Sequence, residues 1–106
     1  MPRVLGIDCG GSSTRAVVVD GGETVWSGRA GPANLSSCTD ERIRQSLEEA
    51  LADCPDVDAA CGAFAGLVDQ AQKEAILRLL AEIIPRAKIE ALPDFEAALA
   101  ACPSAD

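Results

Sequence analysis

The run Asp8-Cys9-Gly10-Gly11-Ser12-Ser13-Thr14 places one carboxylate, two adjacent glycines and three hydroxyls within a few residues of one another. Those types suit a chain of phosphates. Phosphate oxygens need backbone N–H groups aimed at them with no side chain in the way. Glycine supplies that close approach and also permits positive φ. Ser12, Ser13 and Thr14 add hydroxyl donors. The same run also fits a plain glycine turn between two strands, so the surrounding elements have to decide. Cys9 is either a reactive thiol or a small residue in a tight place.

The flanking chain predicts the elements that position this run. Residues 4–8 are a short apolar segment closing on the glycines and read as a buried strand. Residues 15–20 form a second strand, rich in β-branched side chains. Gly21-Gly22 is a two-residue hairpin turn, and residues 23–30 are the third strand. There Thr24, Trp26 and Gly28 should face one way, and Val25, Ser27 and Arg29 the other. Trp26 reads as core rather than as a ligand-stacking ring.

Gly31-Pro32-Ala33-Asn34-Leu35-Ser36-Ser37 is a loop by composition. A helix follows, capped by Thr39 or Asp40. Ile43, Leu47, Ala50, Leu51 and Cys54 form its apolar stripe, and Pro55 closes it. Residues 59–65 are a small-residue buried strand ended by Gly66. Asp69 caps a second helix, with Gln72 at the reciprocal capping-box position. Ile76, Leu79, Leu80, Ile83 and Ile84 give that helix a wide buried face, and Pro85 stops it. Residues 87–92 form a fifth strand, and Pro93-Asp94 opens a last helix through Phe95, Ala98, Leu99 and Cys102. The order βββαβαβα predicts an α/β domain. Three strands make an antiparallel meander, two more join in parallel through helical crossovers, and helices cover the sheet.

With these elements in place, the segment from Ile7 to Asp20 resembles the first phosphate motif of the actin/hexokinase/Hsp70 ATPase superfamily. Within it, the sequence is most similar to the N-acetylglucosamine kinases and the BadF/BadG/BcrA/BcrD-type ATPases. Those proteins show Asp-Gly-Gly-Gly-Thr-Lys-Thr at this place. Gly31-Pro32-Ala33-Asn34 resembles their sugar loop, and Gly62-Ala63-Phe64-Ala65-Gly66 their Gly-x-x-Gly strand end. Leu92-Pro93-Asp94-Phe95-Glu96-Ala97-Ala98-Leu99 resembles their Asn-Asp-Ala-x-x-Ala segment. The resemblance implies a ribonuclease H-like, actin-like ATPase domain with a five-stranded mixed sheet.

The resemblance also implies ATP and Mg²⁺ as cofactors and a sugar as acceptor. Asp8, Gly10, Gly11, Ser12, Ser13 and Thr14 would bind the nucleotide, with Asp8 holding Mg²⁺ through a water. Asn34 would contact the sugar. Asp94 would bind the sugar and take the proton from its hydroxyl, as phosphoryl transfer to an alcohol requires. Asp94 also reads as a simple helix cap. Ser13 replaces the family's Lys and Cys9 one of its Gly, which removes a positive charge near the phosphates.

The resemblance spans residues 1–106 as one N-terminal domain. The second phosphate motif is expected beyond Asp106, in a C-terminal domain that would complete the ATP cleft. This domain alone is therefore expected to lack turnover. Two further readings stay open. One is an ATP-hydrolysing activator of a CoA-ester reductase or dehydratase. The other is a non-catalytic sugar-sensing module.

Composition narrows the partners. The net charge is −8 and no basic run appears, which argues against a nucleic-acid backbone or an anionic membrane as partner. Cys9, Cys38, Cys54, Cys61 and Cys102 show no C-x-x-C spacing, and the chain has no His. Five free thiols in a reducing cytoplasm are expected.

Overall fold

The computed structural model describes residues 3–10, 12–35 and 38–92. Five strands and two helices follow one another: β1 (Arg3–Cys9), β2 (Thr14–Asp20), β3 (Glu23–Ala30), α1 (Asp40–Ala50), β4 (Ala59–Phe64), α2 (Gln70–Ile83) and β5 (Lys88–Leu92). The strands form one mixed sheet in the order β3-β2-β1-β4-β5. β1, β2 and β3 pair antiparallel as a meander, and β4 and β5 extend the sheet in parallel. This is the predicted topology. The last predicted helix lies outside the described residues.

Alternation along β1 and β2 builds the core. Leu5, Ile7 and Cys9 of β1 and Thr14, Ala16 and Val18 of β2 are all buried. Ile43 and Leu47 of α1 and Ile76 and Leu80 of α2 belong to the same core, together with Phe64 of β4. All six residues of β4 are buried. A central strand buried on both faces explains its run of Ala, Cys and Gly.

The caps behave as sequence chemistry requires. Thr39 Oγ1 accepts from the Arg42 N–H at 3.1 Å. Asp69 Oδ1 accepts from the Gln72 N–H at 2.8 Å, and Gln72 Oε1 accepts in return from the Asp69 N–H at 3.3 Å. α1 ends at Ala50, earlier than the predicted stop at Pro55. The Cys54 N–H bonds to Leu51 O at 3.1 Å, so the chain tightens into i+3 turns before the proline.

Two expectations are corrected. In β3, Trp26 lies opposite Val18 and Thr24 opposite Val19, with a register shift between Val18 and Val19. Val18 and Val19 face opposite sides of the sheet, so Thr24 and Trp26 do too. The extra residue of the bulge, Val25, reverses the alternation and is exposed. Trp26 packs against the core, as expected. The second correction concerns the thiols. Cys9, Cys38 and Cys54 are free, but Cys61 is disulfide-bonded. Pairing depends on Cα separation in space, which sequence spacing does not encode.

Candidate functional site

Of the predicted site residues, Asp8, Gly10, Ser12, Ser13, Thr14 and Asn34 lie at one end of the sheet, where β1 and β4 end and β2 begins. Backbone and side-chain hydrogen bonds join three connections there into a ledge. The Gly10 N–H donates to Ser13 O at 2.9 Å and closes the 10–13 loop. The Ala33 N–H donates to Gly10 O at 3.5 Å, and the Leu35 N–H to Ala65 O at 2.8 Å. The Ala65 N–H in turn donates to Cys9 O at 2.9 Å. The glycine loop, the 31–35 loop and the turn after β4 are therefore one unit. β5 ends at the same level, since Leu92 pairs with Ala63 and Ala63 with Asp8.

Asp8 sits near the end of β1 with its side chain 42% exposed, and its Oδ2 lies 3.9 Å from Arg15 Nη2. Such a reachable carboxylate fits a hydrated Mg²⁺, which takes few protein ligands and keeps its waters. Among the described residues no cluster of three or more His, Cys, Asp or Glu forms a dedicated metal cage.

Gly10 does not have positive φ; among the described glycines that backbone belongs to Gly21, Gly22 and Gly66. Closeness is what Gly10 provides: a Cβ there would stand 3.3 Å from Ser13 O. Its N–H is already used in closing the loop. Ser12 and Ser13 are exposed, leaving their N–H and hydroxyl groups as the loop's donors.

Thr14 is the exception among the predicted phosphate donors. It is fully buried, and its Oγ1 donates to Gly31 O at 2.8 Å. The hydroxyl that sequence reasoning aimed at phosphate instead anchors the 31–35 loop to the start of β2. The physical reason is strand alternation: Thr14 shares the core face with Ala16 and Val18.

Asn34 is half-buried on the 31–35 loop, and its main-chain carbonyl accepts the Cys38 N–H at 2.9 Å. Gly11 and Asp94 lie outside the described residues. Cys9 is buried, and its thiol is pushed up to about 12 by burial first, against a lowering hydrogen bond from Thr14 and with a further rise from the Asp8 charge. A thiol held protonated in this way is a packing group, not a nucleophile.

Sequence reasoning missed Ser46. It is 1% exposed and its Oγ donates to Pro32 O at 2.7 Å, tying α1 to the 31–35 loop. The signal was present: a serine beside Leu47 on the apolar stripe of α1 must find a buried partner. Two hollows flank the site. One of about 400 Å³ lies over the sheet, bordered by Asp8, Arg15, Val17, Ser27 and Arg29. A larger one, about 490 Å³, lies between α1 and α2 and shares only Leu35 with the ledge.

Known structures share this architecture. An inorganic polyphosphate/ATP-glucomannokinase from Arthrobacter sp. strain KM matches over 89% of this chain and 45% of its own, at TM-score 0.60 and 20% identity. A proposed N-acetylglucosamine kinase from Chromobacterium violaceum matches over 86% and 35%, at TM-score 0.55 and 16% identity. The Aquifex aeolicus PPX-GPPA enzyme matches over 85% and 36%, at TM-score 0.51 and 18% identity. No protein-family model matches the chain, and no curated protein matches it. The chain therefore shares the fold of these structures, a five-stranded mixed sheet with helices. The chain spans less than half the length of each of these structures. Among the described residues, no helix is long and apolar enough to cross a membrane.

Proposed function

We propose that this chain is the N-terminal half of an ATP-dependent sugar kinase whose acceptor is an amino sugar such as N-acetylglucosamine. The observation that carries the reading is the ledge itself. A phosphate-type loop, a reachable carboxylate and a polar loop bearing Asn34 are hydrogen-bonded together at one sheet edge. The names of two structural neighbours support it, one a proposed N-acetylglucosamine kinase and one an inorganic polyphosphate/ATP-glucomannokinase.

In this reading the N–H and hydroxyl groups of Ser12 and Ser13 hold the phosphate chain, and Gly10 keeps the loop tight enough to present them. Asp8 holds a water of Mg²⁺, an ion that neutralises charge between phosphate oxygens when bound. Asn34 orients the sugar through its amide, which both donates and accepts. Asp94, two residues beyond the end of β5, takes the proton of the acceptor hydroxyl. A second domain supplies the opposite wall of the cleft, so this chain alone binds ligand without turning over.

Calorimetric titration with ATP, with and without Mg²⁺, tests the ledge. The chain should bind ATP, and Asp8→Asn should weaken binding only when Mg²⁺ is present. Loss of equal size without Mg²⁺, or no binding by the unaltered chain, overturns the assignment. In a chain extended by the second domain, Asp94→Asn should abolish phosphoryl transfer to N-acetylglucosamine and spare ATP binding. Unchanged turnover would remove Asp94 from the mechanism.

A further inference from the structure

The 10–13 loop offers hydroxyls and N–H groups but carries no cation, since Ser12 and Ser13 are neutral. Four of the nine basic side chains stand in ion pairs. Arg15 faces Asp8 at 3.9 Å, Arg3 is bonded to Asp20, Arg44 to Glu82 and Lys73 to Glu90. Arg42, like Arg29, Arg78, Arg86 and Lys88, is exposed and makes no ion pair with the described residues, so its position decides whether it can serve the loop.

Its position is specific. The Arg42 guanidinium rests against Gly31, where an added Cβ would collide with Nη2 and stand 3.4 Å from Cζ. Gly31 is the residue whose carbonyl takes the Thr14 hydroxyl. The register pairs Thr14 with Ala30, so Ser13 and Gly31 are the next residues outward on the two chains. The arginine head thus lies against Gly31, whose register neighbour across the sheet is Ser13 of the glycine loop.

Its place on the helix is electrostatically unfavourable. Arg42 occupies the first turn of α1, where unpaired N–H groups already carry partial positive charge. Asp40 and Glu41 suit that end of the helix, whereas a cation opposes the dipole. An anion on the ledge would offset this repulsion and engage both the helix end and the guanidinium fork.

We propose that Arg42 is a phosphate-binding residue of this site, its guanidinium taking oxygens of a phosphate chain seated on the 10–13 loop. The assignment rests on the phosphate reading of that loop. It supplies from the neighbouring helix the positive charge that the loop itself lacks.

Titration of the full chain with inorganic triphosphate and with ATP tests it. Arg42→Gln should weaken both by ~10–100-fold, the range expected for a lost charge-assisted pair. Arg42→Lys should fall between Arg42→Gln and the unaltered chain, because it keeps the charge and loses the fork. Arg86→Gln, an exposed arginine beyond the end of α2, should bind normally. The thermal midpoint of Arg42→Gln should equal or exceed that of the unaltered chain, since a dipole-opposing charge has gone; a merely structural role would lower it. Normal triphosphate binding by Arg42→Gln overturns the arginine assignment and leaves the loop reading standing. Equal weakening by Arg86→Gln overturns it as a general charge effect. No binding of either compound by the unaltered chain overturns the loop reading, and Arg42 with it.

Discussion

Two glycine pairs connect the three antiparallel strands, and they do different work. Gly21 and Gly22 join β2 to β3 with φ of 62° and 85°. A Cβ at Gly22 would meet nothing within 4 Å. Glycine is there for its backbone freedom, as a two-residue hairpin demands. Gly10 belongs to a wider connection between β1 and β2 and needs no positive φ. It is glycine because its neighbours are close, and its carbonyl and the start of β2 are held by a third segment, residues 31–35. A turn that only reverses the chain needs no outside anchor. A loop that must present donors in fixed positions does.

That contrast is open to measurement. The largest effect should come from Thr14→Val, which leaves the Gly31 carbonyl without its donor. A loss of about 1–3 kcal/mol in urea unfolding is expected, with phosphate binding lost as well. Retained binding would show that the loop does not depend on its anchor.

Next is pH. Folded Cys9 keeps its proton up to about 12, whereas the unfolded thiol loses it near 9. Its contribution is therefore complete below pH 9 and falls as pH rises from 9 toward 12. The decline is about 1.4 kcal/mol per pH unit relative to Cys9→Ala, read from unfolding curves at a series of alkaline pH values. Equal slopes for the two proteins would mean that the ground beneath the loop is not sealed from solvent.

A smaller effect separates the two glycine pairs directly. Gly22→Ala should cost about 1 kcal/mol through its left-handed backbone and leave phosphate binding unchanged. Gly10→Ala should do the reverse, with little loss of stability but weaker binding. The smallest effect lies away from both turns. Lys73 Nζ sits 3.0 Å from Glu90 Oε1, linking α2 to β5. The hydrogen bond from Lys73, then that from the Ala91 N–H, holds the Glu90 carboxyl below its usual range. Its contribution is present at neutral pH and lost as acid carries the group through that lowered value. Lys73→Gln should change the unfolding free energy by only about 0.5 kcal/mol.

Much of this molecule is legible in its residues. β-Branched runs, the paired hairpin glycines, the Asp69/Gln72 capping box and the apolar stripes of both helices each encode a local choice, and each local choice agrees with the sheet that forms. The site loop is legible for the same reason, because glycines and hydroxyls at the end of an apolar strand are a local pattern. Less legible is what each polar group does. Thr14 stands in one run of hydroxyls with Ser12 and Ser13, yet it is a buried anchor while the two serines face solvent.

The sequence by itself determined the order of elements, the topology they permit and the place of the glycine loop, since these follow from propensity and periodicity along a short stretch of chain. Only the tertiary structure decided the rest. It placed the bulge at Val25 that turns Trp26 to the core and Thr24 away, the disulfide at Cys61, the Thr14 anchor on Gly31, and the Arg42 head beside Gly31. Each depends on which residues far apart in the chain come within a few ångströms, and that distance is set by packing of the whole sheet against its helices.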